Sequence, residues 1–248
     1  MSKLSKKITK IQRRDAGGFG FGAHREQPRA MLLGVLAEDA AGIKAALEAG
    51  ADIVIVRGKD PGKAIAAAGA TDSTVGAWVE SLDAAAADAL HEGGCDFVVS
   101  ALGTTDAAAV DTERMGQVIA QGGDDSLDDT TLRALGPLGL DGIFMEAASG
   151  AMTLMQQLEL VRVASFASTP LMVTAGVDAS IAELRVLRDS GTAAVIVPAG
   201  SKAADVAALG ERLRQIPSSN RGRENGRDMA IVPSMASHHA EDDEPDEI

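Results

Sequence analysis

The chain contains no tyrosine, one tryptophan and one cysteine, and its aromatic residues make up 2% of 248 positions. A core this poor in rings must be filled by Ala, Val, Leu, Ile and Met, and surfaces that stack sugars or bases have little to be built from. The single cysteine, Cys95, excludes an internal disulfide and any paired-cysteine metal or redox motif. No apolar run approaches the ~18 residues of a membrane-spanning helix, and the first residues lack the apolar core of a secretory signal. These absences predict a cytoplasmic protein without a membrane span. Histidines are also scarce, at four, and none is paired at ligand spacing, which restricts any metal site to carboxylates. His91 and Cys95 read as structural, because they fall on the N-terminal side of a strand.

Charge is unevenly distributed. Residues 1–28 are net +5, residues 29–216 net −13 and residues 217–248 net −5. The central body repels a phosphate backbone at long range, which argues against a nucleic-acid partner. These boundaries also divide the chain into a basic arm and linker (1–28), a folded body (29–216) and an acidic tail (217–248) expected to be disordered. In the arm, Leu4, Ile8 and Ile11 lie at helical spacing among Lys3, Lys6, Lys7, Lys10, Arg13 and Arg14. This is a small basic amphipathic helix, flexible or capping the body, or else docking through residues 1–14 to an acidic protein or an anionic surface. The glycine-rich run from Gly17 to Gly22 follows no strand and reads as a flexible linker.

The body is organised as a fourfold repeat. An alanine-rich helical stretch ends at Gly50, Gly94, Gly139 or Gly191, and an apolar strand begins two or three residues later. The spacings of 44, 45 and 52 residues each hold two strand-helix units. Glycine just past a helix takes the left-handed conformation and turns the chain into the next strand. Four further apolar runs, Ala30–Ala37, Thr74–Val79, Gln117–Ala120 and Pro170–Ala175, bring the strands to eight. Continuous apolar runs such as Ile53–Val56 are expected of parallel strands buried on both faces. The even repeat and the lack of a glycine-rich first turn favour a single (β/α)8 TIM barrel over an open doubly wound sheet.

In such barrels the site lies at the C-terminal ends of the strands. Arg57 and Glu146 each follow the aspartate of their repeat by five residues, at the ends of strands two and six, where the repeat of Asp96 has Ala101. Matching register implies matching direction, so the two charges face one another across the mouth as a structural ion pair or as a substrate clamp with an acid/base group. Glu80, directly after Trp78 and Val79, is a second carboxylate whose burial would suit it to general acid catalysis. A Schiff-base mechanism would have to use Lys59 or Lys202, both of which read more simply as surface lysines.

Strands seven and eight end in Thr174-Ala175-Gly176 and Ala199-Gly200-Ser201. Here the chain resembles the phosphate-binding (β/α)8-barrel superfamily, which includes synthases, lyases and isomerases of phosphorylated metabolites and several flavin-mononucleotide enzymes. The resemblance implies that Gly176, Gly200 and Ser201 hold a phosphate, with Lys202 adding charge, and that the substrate is a small phosphorylated metabolite. Many members carry two adjacent glycines where this chain has Gly176 and Val177. Two other readings stand beside it. Flavin mononucleotide (FMN) could occupy the phosphate site of an oxidoreductase, or the barrel could be a non-catalytic scaffold acting through its charged ends.

Overall fold

The computed structural model describes residues 1–15, 29–69, 72–121, 127–147 and 151–217. The linker from Gly17 to Gly22, His24, Asp124, His238, His239 and the tail beyond Pro217 lie outside the described residues. Eight parallel strands form a closed barrel in chain order: β1 (Leu32–Ala37), β2 (Ile53–Val56), β3 (Thr74–Trp78), β4 (Phe97–Ser100), β5 (Gly116–Gln121), β6 (Gly142–Met145), β7 (Leu171–Thr174) and β8 (Thr192–Val197). The predicted fold class is the observed one. Gly50, Gly94, Gly139 and Gly191 all have φ between 69° and 93°, the left-handed turn that the repeat requires.

The helices are α1 (Lys3–Asp15), α2 (Ala40–Glu48), α3 (Pro61–Ala68), α4 (Ala84–Glu92), α5 (Asp129–Leu135), α6 (Leu154–Ala167), α7 (Ile181–Asp189) and α8 (Ala203–Arg214). The fourth crossover departs from the strand-helix pattern. Between β4 and β5 the chain uses two short 3-10 turns, Leu102–Thr104 and Ala107–Ala109. Gly103, Thr104, Thr105 and Asp106 are poor helix formers and leave too short a run for a stable α-helix.

Strand alternation divides the core in two. Val35, Val54, Val98, Ile143 and Val195 point outward against the helices, while Ile53, Ile55, Phe97, Val99, Phe144 and Ile196 fill the lumen. Glycines make room for the large lumen side chains. A Cβ at Gly76 would fall 2.4 Å from the Phe97 ring, and one at Gly34 would fall 2.3 Å from Ile196 Cδ1.

The lumen is closed from below by α1, so of the readings of the arm as flexible or as capping the body, residues 3–15 take the capping one. Leu4 and Ile8 are 0% and 3% exposed and belong to the lumen core. Hydrophobic burial supplies the reason, at ~1.5–3 kcal/mol for each large aliphatic side chain. Polar contacts fix the helix in place, and they use the aspartates of the repeat. The Asp96 carboxylate accepts the backbone N–H groups of Lys3 and Leu4 at 2.8 and 2.9 Å, taking up the positive end of the helix. Ser2 donates to Asp141 Oδ2 at 2.6 Å, and Lys7 donates to the Asp52 carbonyl. The fourth repeat has Ala193 in this position and contributes no such contact.

Burial beneath α1 holds the Asp141 carboxyl above its ordinary value of 3.8, even though Ser2 and Ser5 hydrogen bonds pull the other way. A raised folded-state pKa means that protonation favours the folded chain. The ionised form carries a cost at neutral pH, and that cost disappears as pH falls through the folded pKa. Asp141→Asn keeps an acceptor for Ser2 and is expected to melt higher than the parent at pH 7. The advantage should shrink as the pH of the melts falls towards about 4 and be gone below it. A variant that melts lower at pH 7 would contradict this account of the α1 seat.

Candidate functional site

At the top of the lumen, β2 and β6 deliver Arg57 and Glu146 to a common point. Arg57 Nη1 donates to Glu146 Oε1 at 2.9 Å, and the side chains are 49% and 59% exposed. The guanidinium carbon lies 4.3 Å from the centre of the Trp78 ring, which meets Phe144 edge-on at 4.8 Å. Phe144, Trp78 and the ion pair therefore stack in succession over the lumen core. An ion pair this exposed is worth only ~0.2–1 kcal/mol. Arg57 and Glu146 can exchange each other for a ligand at small cost.

Glu80 is placed differently from the expectation. β3 ends at Trp78, the chain turns outward, and Glu80 is exposed, with its carbonyl accepting the Thr104 hydroxyl at 2.5 Å. The burial that would have suited it to general acid catalysis is absent. Lys59 is exposed on the link between β2 and α3. Cys95 is buried, its thiol donating to the Phe97 carbonyl at 2.9 Å, and burial pushes its pKa up to about 12. That is an inert structural thiol.

Two clefts open on the rim of the barrel. The larger, about 690 Å³, lies among the ends of β6 and β7 and the first turns of α6 and α7. Its wall holds Glu146, Glu159, Asp178 and Glu183, and neither lysine nor arginine. Gly176 is here, and a Cβ on it would sit 2.5 Å from Asp178 Oδ1, so a carboxylate covers its open side. Glu159 is held by Arg162 at 2.7 Å, and Glu183 accepts the Ser180 backbone N–H at 2.8 Å. Hydrogen bonds from Arg162 and from Ser180 keep Glu159 and Glu183 below the usual carboxylate range. A phosphate approaching this wall meets like charge.

The smaller cleft, about 330 Å³, lies between the ends of β1 and β8 and is lined by Gly200, Ser201, Glu38 and Asp39, and its wall too holds neither lysine nor arginine. Gly200 has φ 76°, and nothing stands within 4 Å of where its Cβ would be. Ser201 donates its hydroxyl to the Pro198 carbonyl at 2.8 Å. Lys202 is the exposed N-cap of α8 and makes no capping bond through its side chain. The helices that follow β1, β2, β3, β5, β6 and β7 are capped by Asp39, Asp60, Asp83, Asp128, Thr153 and Ser180. The N-cap of α8 therefore offers no side-chain acceptor to the first-turn N–H groups, of which that of Asp205 bonds to the Lys202 carbonyl at 3.0 Å. Gly200 and Ser201 line this cleft beside Glu38 and Asp39, Lys202 is not part of its wall, and Gly176 lies in the other cleft.

The sequence reading missed Gln156, Glu159 and Glu183 as lining residues. They sit in the first half of α6 and on α7. The capping patterns from Thr153 to Gln156 and from Ser180 to Glu183 were the available signal, since each marks the helix turn that faces the barrel rim.

No protein-family model matches the chain, and no curated protein sequence matches it. Solved structures do. Tryptophan synthase from M. tuberculosis, in its open form with BRD0059 bound, aligns at TM-score 0.60 and 16% identity over 86% of this chain and 97% of that one. KGPDC from Streptococcus mutans, in a ligand complex, aligns at TM-score 0.62 and 14% identity, over 75% and 98%. A protein from Aquifex aeolicus VF5 aligns at TM-score 0.60 and 12% identity, over 88% and 100%. At such identities the shared feature is the fold, a closed (β/α)8 barrel.

Proposed function

We propose that the chain is an enzyme of the lyase, synthase or isomerase type whose substrate is a small phosphorylated metabolite. The observation that carries this reading is the uncapped N-terminus of α8, which follows the open Gly200 in a cleft at the end of β8. The backbone N–H groups around Gly200 and Ser201 and in the first turn of α8 take the phosphate, and Lys202 adds charge. Arg57 and Glu146, weakly paired at the mouth, supply the second anion contact and the acid/base group. Gly176 is left out of the phosphate set, because Asp178 stands where the anion would approach. The ligand complex of KGPDC gives this reading a precedent for ligand binding on the same fold.

The cleft volume bears on the flavin alternative. At about 330 Å³ it is at the small end of the range for ligand pockets, and the mouth beside it is filled by Trp78, Phe144 and Arg57. These residues suit a phosphate on a short carbon skeleton better than a flavin ring. Native mass spectrometry of gently purified protein, with a visible spectrum, tests the class of ligand. A retained phosphorylated compound supports the proposal, while a yellow protein with a flavin mass supports the oxidoreductase instead.

Once a substrate is in hand, Glu146→Gln is expected to lower kcat by about 10²–10⁴-fold, the usual contribution of a general acid or base. Glu80→Gln, exposed and outside both clefts, should change it less than about threefold. Unaltered turnover in Glu146→Gln would remove Glu146 from the mechanism.

A further inference from the structure

The face of α1 that turns away from the barrel carries exposed Lys6 and Lys10, and neither side chain makes a hydrogen bond or ion pair among the described residues. On a helix these residues lie opposite Leu4 and Ile8, which are buried in the lumen. Two exposed ammonium groups therefore stand on the underside of a body whose net charge is −13. We infer that the acidic segment Glu241–Glu247 of the same chain docks on this basic face.

Two features support this occupant. The first is position. α8 runs back from the mouth towards the underside, and the Pro217 carbonyl accepts a hydrogen bond from Arg188 in the last turn of α7. The chain therefore leaves the barrel at the same end at which α1 is seated. Twenty-four residues separate Pro217 from Glu241. Fully extended, a chain of that length reaches up to ~80 Å, several times the ~16 Å radius of gyration of a domain this size, so its length suffices to reach α1.

The second feature is charge. Six of the seven residues from Glu241 to Glu247 are acidic, whereas the stretch leading to them carries Arg221, Arg223 and Arg227. Negative charge is thus concentrated in the part that can reach α1. A tethered segment acts at a high effective concentration that a free polyanion lacks, and free polyanions are also repelled by the body. The contact would occupy a basic face that nucleic acid or anionic lipid would otherwise meet.

The test is the rate at which an amine-acylating reagent labels individual lysines, read by peptide mass spectrometry, with exposed Lys44 on α2 as the internal reference. In the full chain at low salt, Lys6 and Lys10 are expected to react about three- to fivefold more slowly relative to Lys44 than they do with the segment neutralised (Glu241→Gln, Asp242→Asn, Asp243→Asn, Glu244→Gln, Asp246→Asn, Glu247→Gln). Addition of about 0.5 M NaCl should abolish the difference, since screening then acts over a few ångströms. Equal rates in the two chains at low salt would overturn the inference. So would slowing that survives neutralisation, slowing that grows with protein concentration and so marks a second copy, or slowing seen only with phosphatidylserine vesicles.

Discussion

The Leu4→Ala chain is expected to unfold with about 3 kcal/mol less free energy than the parent, within the ~2–5 kcal/mol range for truncating a buried leucine. Leu4 is fully buried at the floor of the lumen, where Ile8 and Phe97 belong to the same core. The lumen side chains above it belong to strands fixed by the closed barrel, so the loss leaves a hole that they fill only in part. The control is Leu154→Ala on α6. Leu154 is 83% exposed, so its truncation should change stability by no more than about 0.5 kcal/mol. Urea unfolding of the two variants and the parent provides the comparison, with a common slope required before free energies are compared. If both variants behaved alike, α1 would not be part of the folded barrel. Asp141→Asn and Leu4→Ala thus test the same docked helix through its polar and its apolar contacts.

The second large effect concerns the anion site. Lys202→Glu replaces the exposed N-cap lysine of α8 with a carboxylate at the positive end of the helix. Stability should hold or rise slightly, because a negative group at a helix N-terminus is favourable by ~0.3–1 kcal/mol. Binding of a phosphorylated ligand should weaken at least about 30-fold, since a charge-assisted hydrogen bond worth ~1.5–3 kcal/mol is replaced by repulsion. The pairing of intact stability with lost affinity separates a ligand site from a merely structural helix end. Unchanged affinity in a folded variant would place the phosphate elsewhere.

Much of the architecture was legible because a few positions admit few solutions. The four repeat glycines could be read as turns since their left-handed conformation is costly for other residues, and their spacing then implied eight strands. The meeting of Arg57 and Glu146 was legible for a related reason. Equivalent register in strands facing each other across a closed barrel leaves side chains only one direction to point. The seat of α1 was not legible. Its contacts join Ser2 to Asp141 and Leu4 to Asp96, and no local pattern encodes which distant residue an amphipathic helix will meet. The repeat aspartates were visible only as repeat markers, and their use as a docking ring emerged from the fold.

The mouth was read less well than the framework. Glu80 was expected in a buried setting because it follows Trp78, but a strand end one residue earlier turned it outward. Gly176 and Gly200 looked equivalent, each a glycine closing a late strand. The helices that follow distinguish them: Asp178 covers the first, whereas the second precedes an uncapped first turn. That distinction rests on side chains placed by tertiary structure, beyond the reach of a strand-by-strand reading.

The central claim, that a phosphate is held where β8 passes into α8, is tested most directly by following the backbone amide resonances of the protein while phosphorylated three- to six-carbon compounds are titrated in. The account predicts saturable shifts concentrated at Gly200, Ser201 and the first turn of α8 from Ala203 to Asp205, with Gly176 little affected. Saturable shifts confined to the acidic cleft around Gly176 and Asp178, or no shifts with any compound in the series, would contradict it.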